Sequence, residues 1–115
     1  MIPIFLDPAQ TRVGLIGRGA TAVRRLAWLR KLDADPAIYS DAASEGLLEV
    51  AGAALVRRLP ERGELRGLSA LWIVDLDAPT ARMLAEAARE EGVLVNVEDV
   101  KDQCAFHTPA IVKRG

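Results

Sequence analysis

Val13-Gly14-Leu15-Ile16-Gly17-Arg18-Gly19-Ala20-Thr21-Ala22 is the stretch that decides the fold. A short apolar run ends in glycine, and from Gly19 to Leu32 the residues Val23, Leu26, Ala27 and Leu29 recur at helical spacing. The reading is strand, tight turn, helix. Gly17 to Ala22 matches the pattern G-x-G-x-x-A. In that pattern the first glycine permits the turn, the second lets a pyrophosphate approach the backbone, and the alanine lets the helix pack closely on the sheet. The helix start adds unpaired amides and a positive field, which puts Gly17, Arg18, Gly19, Ala20 and Thr21 in a candidate phosphate cradle. The same six residues also suit an ordinary glycine-rich turn, but their place directly between an apolar strand and a helix favours the nucleotide.

Further along, Asp33-Ala-Asp-Pro36 is a turn signal, because proline disfavours helix in the residue before it and aspartate accepts local backbone bonds. Ala37-Ile-Tyr-Ser40 follows as a short second strand, and Ser44 with Leu47, Leu48 and Val50 predicts a short helix broken near Gly52. Ala54 to Leu59 is expected as a third strand before Pro60, with Gly63 and Gly67 marking a loop. Ala70-Leu-Trp-Ile-Val74 has the length and composition of a buried strand and is expected centrally. From Pro79 to Glu91, Ala81, Leu84, Ala87 and Ala88 form one helical face opposite Arg82, Glu86, Arg89 and Glu90, with Gly92 as the stop. Val93 to Val97 reads as another strand and Ala110 to Val112 as a final extended segment. Strands alternating with helices over short connections predict an α/β fold, a Rossmann-like, mainly parallel sheet flanked by helices. Ligands of such folds bind beyond the C-terminal ends of the strands, the level of Gly17, Asp41, Asp75 and Asp99.

The 115 residues leave room for one domain, residues 1–115, at about 100 to 200 residues per domain. Half of them are apolar, 27% are charged, and 15 Lys and Arg nearly balance 16 Asp and Glu. That composition describes a soluble globule with one modest core, and it argues against a nucleic-acid partner, as does the lack of aromatics interleaved with the arginines. The longest stretch without a charged residue is the nine residues Cys104 to Val112, too short to span a membrane, and the first residues lack the basic start and apolar core of a signal peptide. The expected location is the cytoplasm. One cysteine and one histidine exclude an internal disulfide and leave too few soft ligands for a self-contained zinc site, so no metal site is expected.

Several side chains carry two readings. Asp41, at the end of the second strand, is placed either to accept from the adenosine ribose hydroxyls of NAD or to cap the next short helix. Arg18, Arg24 and Arg25 either attract phosphate or form a solvated helix face. Asp75 is read first as the cap of the Pro79 helix, with cofactor contact as the alternative. Asn96-Val-Glu-Asp99 runs from a strand end into a loop, a place suited to a carboxylate that exchanges a proton with substrate, while Glu98 and Asp102 read as solvent-facing. Trp28 and Trp72 read as packing, Cys104 as packing rather than nucleophile, and His107 as a cleft or packing residue rather than a metal ligand.

Three spaced motifs then add a resemblance over the whole chain. Pro3-Ile-Phe5 is similar to P-[IV]-F, and Gly17-Arg-Gly-Ala-Thr-Ala-Val-Arg-Arg25 to G-G-G-x-V-A-x-R-K. Val95-Asn-Val-Glu-Asp99 with Phe106-His-Thr-Pro-Ala-Ile-Val112 is similar to N-V-x-D followed by F-x-x-P-[AS]-[IV]. Together they resemble the N-terminal dehydrogenase module of siroheme synthases, the precorrin-2 dehydrogenase and sirohydrochlorin ferrochelatase family. The resemblance implies an NAD-binding module that oxidises precorrin-2 to sirohydrochlorin in siroheme biosynthesis. It places Asp99 in the catalytic role, Gly17, Gly19 and the helix start at the pyrophosphate, Asp41 at the ribose, and His107, Lys113 and Arg114 near the tetrapyrrole substrate.

The chain departs from the family pattern at Arg18, where a middle glycine is usual, at Arg25 in place of lysine, at Val74-Asp75-Leu76-Asp77 in place of A-T-D-D, and at Lys113 in place of an acid. The family continues into a dimerisation and tetrapyrrole-cleft region expected to be absent here, which implies a homo-oligomer or a separate complementary subunit. The alternative function is a non-enzymatic nucleotide- or tetrapyrrole-binding regulatory module.

Overall fold

In the computed structural model, which describes residues 1–108, five strands form one parallel sheet in the order β3-β2-β1-β4-β5. The strands are β1 (Val13–Ile16), β2 (Ala37–Tyr39), β3 (Leu55–Val56), β4 (Ala70–Ile73) and β5 (Leu94–Val97). Helices α1 (Ala20–Lys31), α2 (Glu45–Ala51), α3 (Arg62–Arg66) and α4 (Ala78–Glu90) lie between them. The sheet period of two sorts the core. Leu15, Ala70, Trp72 and Val74 face Ala22, Leu26, Leu29 and Leu47 of α1 and α2. Ile16, Leu71, Ile73, Val95 and Val97 face Leu65, Leu84, Ala85 and Ala88 of α3 and α4. The α/β, Rossmann-like reading therefore holds, and the step from β1 outward to β2 on one side and to β4 on the other makes a crevice at the C-terminal ends of β1 and β4. No helix among the described residues is long and apolar enough to cross a membrane.

Helix ends follow local chemistry. At the end of α4, Gly92 adopts φ +79° and its N–H and that of Val93 donate to the carbonyls of Arg89 and Ala88, the arrangement expected of a glycine stop. Asp33 does the same for α1 at φ 63°, with its own N–H on Arg30 and that of Ala34 on Leu29.

Three expectations change. The third strand shrinks to Leu55–Val56, because Gly52 at φ 56° ends α2 and a 3-10 turn, Gly52–Ala54, takes up Ala54, while Arg57 and Arg58 turn to solvent. The loop expected around Gly63 and Gly67 contains α3, held by the Glu61 N–H donating to Glu64 Oε1 at 2.9 Å and by buried Leu65. Gly17 is required by packing rather than by turn geometry, for it is not among the residues at positive φ. A Cβ there would stand 2.6 Å from Val74 Cγ2 and 2.7 Å from Ala22 Cβ. Gly17→Ala is therefore expected to cost about 1 to 3 kcal/mol of unfolding free energy, read from a urea melt. The final extended segment, Ala110 to Val112, lies outside the described residues.

Candidate functional site

Two groups of residues line the C-terminal rim of the sheet. The first surrounds the loop from β1 to α1. Gly19 precedes α1 with no side chain to cap it, and the first turn carries no acid, so the amides at the helix start need partners from elsewhere. They find one in Asp75, directly after Val74 and at φ 55°: its Oδ2 accepts from Gly19 N at 3.1 Å and Ala22 N at 2.8 Å. Asp75 thus caps α1, not the Pro79 helix. The cap of α4 is Asp77, whose carboxylate accepts from Thr80 N and the Thr80 hydroxyl at 3.1 and 2.7 Å. It outcompetes Asp75 because it stands three residues before Thr80, the spacing a side-chain cap needs.

Arg18 does not lie free beside the loop. Its guanidinium grips Asp41 with two bonds of 2.8 Å and reaches Asp77 at 2.9 Å, so one side chain joins the loops after β1, β2 and β4. The pairing holds the Arg18 pKa above its ordinary value, through Asp41 first and Asp77 second. Asp41 is correspondingly lowered by Arg18, and Asp77 falls to about 2, chiefly through the Thr80 hydroxyl and then through Arg18. Asp41 does not cap α2. Ser44 does, accepting from Leu47 N at 3.2 Å.

The backbone of this crevice is bare at one glycine. An ideal Cβ on Gly19 would sit 3.7 Å from Asp75 Oδ2, so the space that this glycine leaves open lies over the helix start, and the carboxylate stands beside it. Ala20 and Thr21 begin α1, and Asp41 lies at the β2 end of the same crevice.

The second group lines a cleft of about 220 Å³ beyond β5, where Arg25, Asn96, Glu98, Asp99, Lys101, Cys104, His107 and Thr108 meet. Asp99 and His107, read separately from the sequence, share this cleft, both exposed. Asp99 holds φ 69°, a left-handed conformation that aspartate tolerates better than most residues. Lys113 and Arg114 lie outside the described residues.

The closing segment is tied down by Ala105 N donating to Val95 O at 2.7 Å and Asn96 Nδ2 to Phe106 O at 2.7 Å. Phe106 packs edge-on against Trp72 with ring centres 5.1 Å apart, and Trp72 against Trp28 at 6.1 Å, so both tryptophans pack as expected. Cys104 donates to the carbonyls of Val97 and Val100 and is half-buried. No group of three or more potential metal-ligating His, Cys, Asp or Glu occurs among the described residues.

Sequence reasoning missed the pair that forms one wall of this cleft. Glu98 is not solvent-facing: its Oε1 accepts from Arg25 Nη2 at 2.8 Å, and the Arg25 guanidinium lies 4.8 Å from the centre of the Trp28 ring. Arg25 Nε and Glu98 Oε2 are buried and find no hydrogen-bond partner among the described residues. Arg24, by contrast, stays exposed, contacting only the Thr21 hydroxyl at 3.2 Å.

A family model described as "Putative NAD(P)-binding" matches residues 4–110. The chain belongs to this family. The curated relatives of this NAD(P)-binding module include a siroheme synthase of Methylococcus capsulatus, 31% identical, and siroheme synthase 1 of Pectobacterium atrosepticum, 33% identical; each alignment takes in 98% of this chain and 24% of the relative. The module therefore spans about a quarter of the length of the curated relatives it matches. Among solved structures, SirC, a precorrin-2 dehydrogenase, superposes with TM-score 0.73 at 17% identity, covering 96% of this chain and 55% of that one. The superposition bears out the fold, and the matches together bear out the resemblance to the N-terminal module of siroheme synthases.

Proposed function

We propose that this nicotinamide-cofactor module uses NAD to oxidise precorrin-2 to sirohydrochlorin, with a second copy or a complementary subunit completing the cleft. The observation that carries the reading is the junction of the two groups on one helix: α1 begins in the glycine loop and presents Arg25 to the cleft that Asp99 lines. Gly17, Gly19 and the amides of the α1 start would hold the pyrophosphate, and Asp41 would accept from the ribose hydroxyls, which favours NAD over NADP because a carboxylate repels a 2′-phosphate. Bound there, the nicotinamide supplies the hydride acceptor.

The chain's own part is proton management and orientation. Asp99, exposed in the cleft, takes the proton that leaves as the hydride departs. The carboxylates of the tetrapyrrole would be met by His107 and Arg25 of the cleft, and the resemblance to the family adds Lys113 and Arg114 to that role. A cleft of about 220 Å³ falls below the roughly 300 to 1,000 Å³ of small-molecule pockets, which supports a second chain as its other wall.

Anaerobic incubation with NAD and precorrin-2 tests the proposal. Equal amounts of NADH and sirohydrochlorin are expected, and Gly19→Asp should weaken NAD binding about a hundredfold or more by setting a second carboxylate against the phosphates. A second reading, binding without turnover, is favoured by the carboxylate of Asp75 on the phosphate-binding amides. It predicts a spectral change of the tetrapyrrole with no NADH.

A further inference from the structure

Asp75 occupies the donors that make the glycine loop an anion site. Its Oδ2 takes the N–H groups of Gly19 and Ala22, and lies 3.7 Å from where a Cβ of Gly19 would be. A phosphate oxygen approaching this helix start seeks the same amides over the same bare glycine. One pair of donors cannot serve both anions, and two negative groups brought to that separation repel.

Among the described residues no cationic side chain pairs with the carboxylate. Arg18, the cation of this loop, has Nε, Nη1 and Nη2 committed to Asp41 and Asp77, and none of the ion pairs among the described residues includes Asp75. The position also allows release. Asp75 is exposed and follows the last residue of the buried β4 run, so its side chain can turn into solvent without disturbing the core.

We infer that Asp75 is a built-in stand-in for phosphate, which the dinucleotide must displace, so that this one residue sets the affinity of the module for its cofactor. The inference rests on the cofactor reading above, and adds a resident competitor to it. With the carboxylate seated, the binding-competent form is a minority of the molecules, and the apparent affinity falls by that fraction. A minor state populated at about 10% or less makes the expected gain on removing Asp75 about tenfold or greater.

The test is calorimetric titration of the whole chain and of Asp75→Asn and Asp75→Gly with NAD, NADP and inorganic pyrophosphate, while amide NMR signals of Gly19 and Ala22 are followed. Asparagine keeps the shape and the tolerance of φ 55° while losing the charge, and glycine suits that φ and frees the amides. The expected result is tighter binding of dinucleotide and of pyrophosphate by both variants, greatest for Asp75→Gly, with the two amide signals moving on titration. Should Asp75→Gly lose the fold through its missing cap, Asp75→Asn alone decides.

If all three chains bind NAD or NADP equally well, or the variants bind it more weakly, the stand-in role is overturned and the cofactor reading survives. If the variants gain pyrophosphate while no chain binds either dinucleotide, Asp75 keeps this role and the cofactor reading falls. Failure of every chain to bind any of the three overturns both.

Discussion

Asp99→Ala should slow the proposed precorrin-2 oxidation by about 100- to 10,000-fold while leaving affinity for the proposed NAD cofactor unchanged, measured as NADH formation and as calorimetric binding on the same preparation. The range is what a positioned general base contributes. The separation of the two readouts follows from position. Asp99 stands after β5 in the cleft with His107 and Lys101, whereas the proposed pyrophosphate contacts lie at the start of α1 after β1. Asp99→Asn should lose the rate equally. Because asparagine tolerates the left-handed backbone at φ 69°, that variant separates lost chemistry from a disturbed loop.

Trp72→Ala should cost about 3 to 5 kcal/mol of unfolding free energy, the range for deleting a large aromatic from a core. Trp72 is 5% exposed, lies between Trp28 and Phe106, and donates its indole N–H to the Thr108 hydroxyl at 3.3 Å. A domain of this size has about 5 to 15 kcal/mol in total, so the variant would be marginal in a urea melt. The loss should also spread to the closing segment, since Phe106 packs on Trp72. Hydrogen exchange of the Ala105 amide, bonded to Val95 O, is expected to accelerate beyond that of the β1 and β4 amides.

The parts of the fold legible in the sequence are those written in local patterns. The apolar run before Gly17, the buried run at Ala70 to Val74 and the three- and four-residue spacing of Ala81, Leu84 and Ala88 each specify an element within a few neighbours. Around Gly52 to Gly67 the local pattern is weak. A five-residue helix offers little more than a turn of periodicity, and only its capping by Glu61 and Glu64 and the burial of Leu65 hold it.

At the site, the residue types were legible and their partners were not. Asp75 reaches Ala22 across 53 positions and Arg25 reaches Glu98 across 73. Such pairings depend on the order β2-β1-β4-β5 bringing loops together, and no spacing rule along the chain encodes that. Asp75 and Asp77 are two residues apart, and only the geometry of the turn decides which of them caps α4 and which turns back to α1.

The stacking of Arg25 on Trp28 gives the chain a native optical gauge. Its only two tryptophans, Trp28 and Trp72, touch each other, and a guanidinium shared with Glu98 sits over one of them. The emission of the unlabelled protein is thus governed by one small cluster. A polycarboxylate that draws Arg25 off the indole face will register as a change in fluorescence, and occupancy of the cleft can be followed in real time without a probe attached to either molecule.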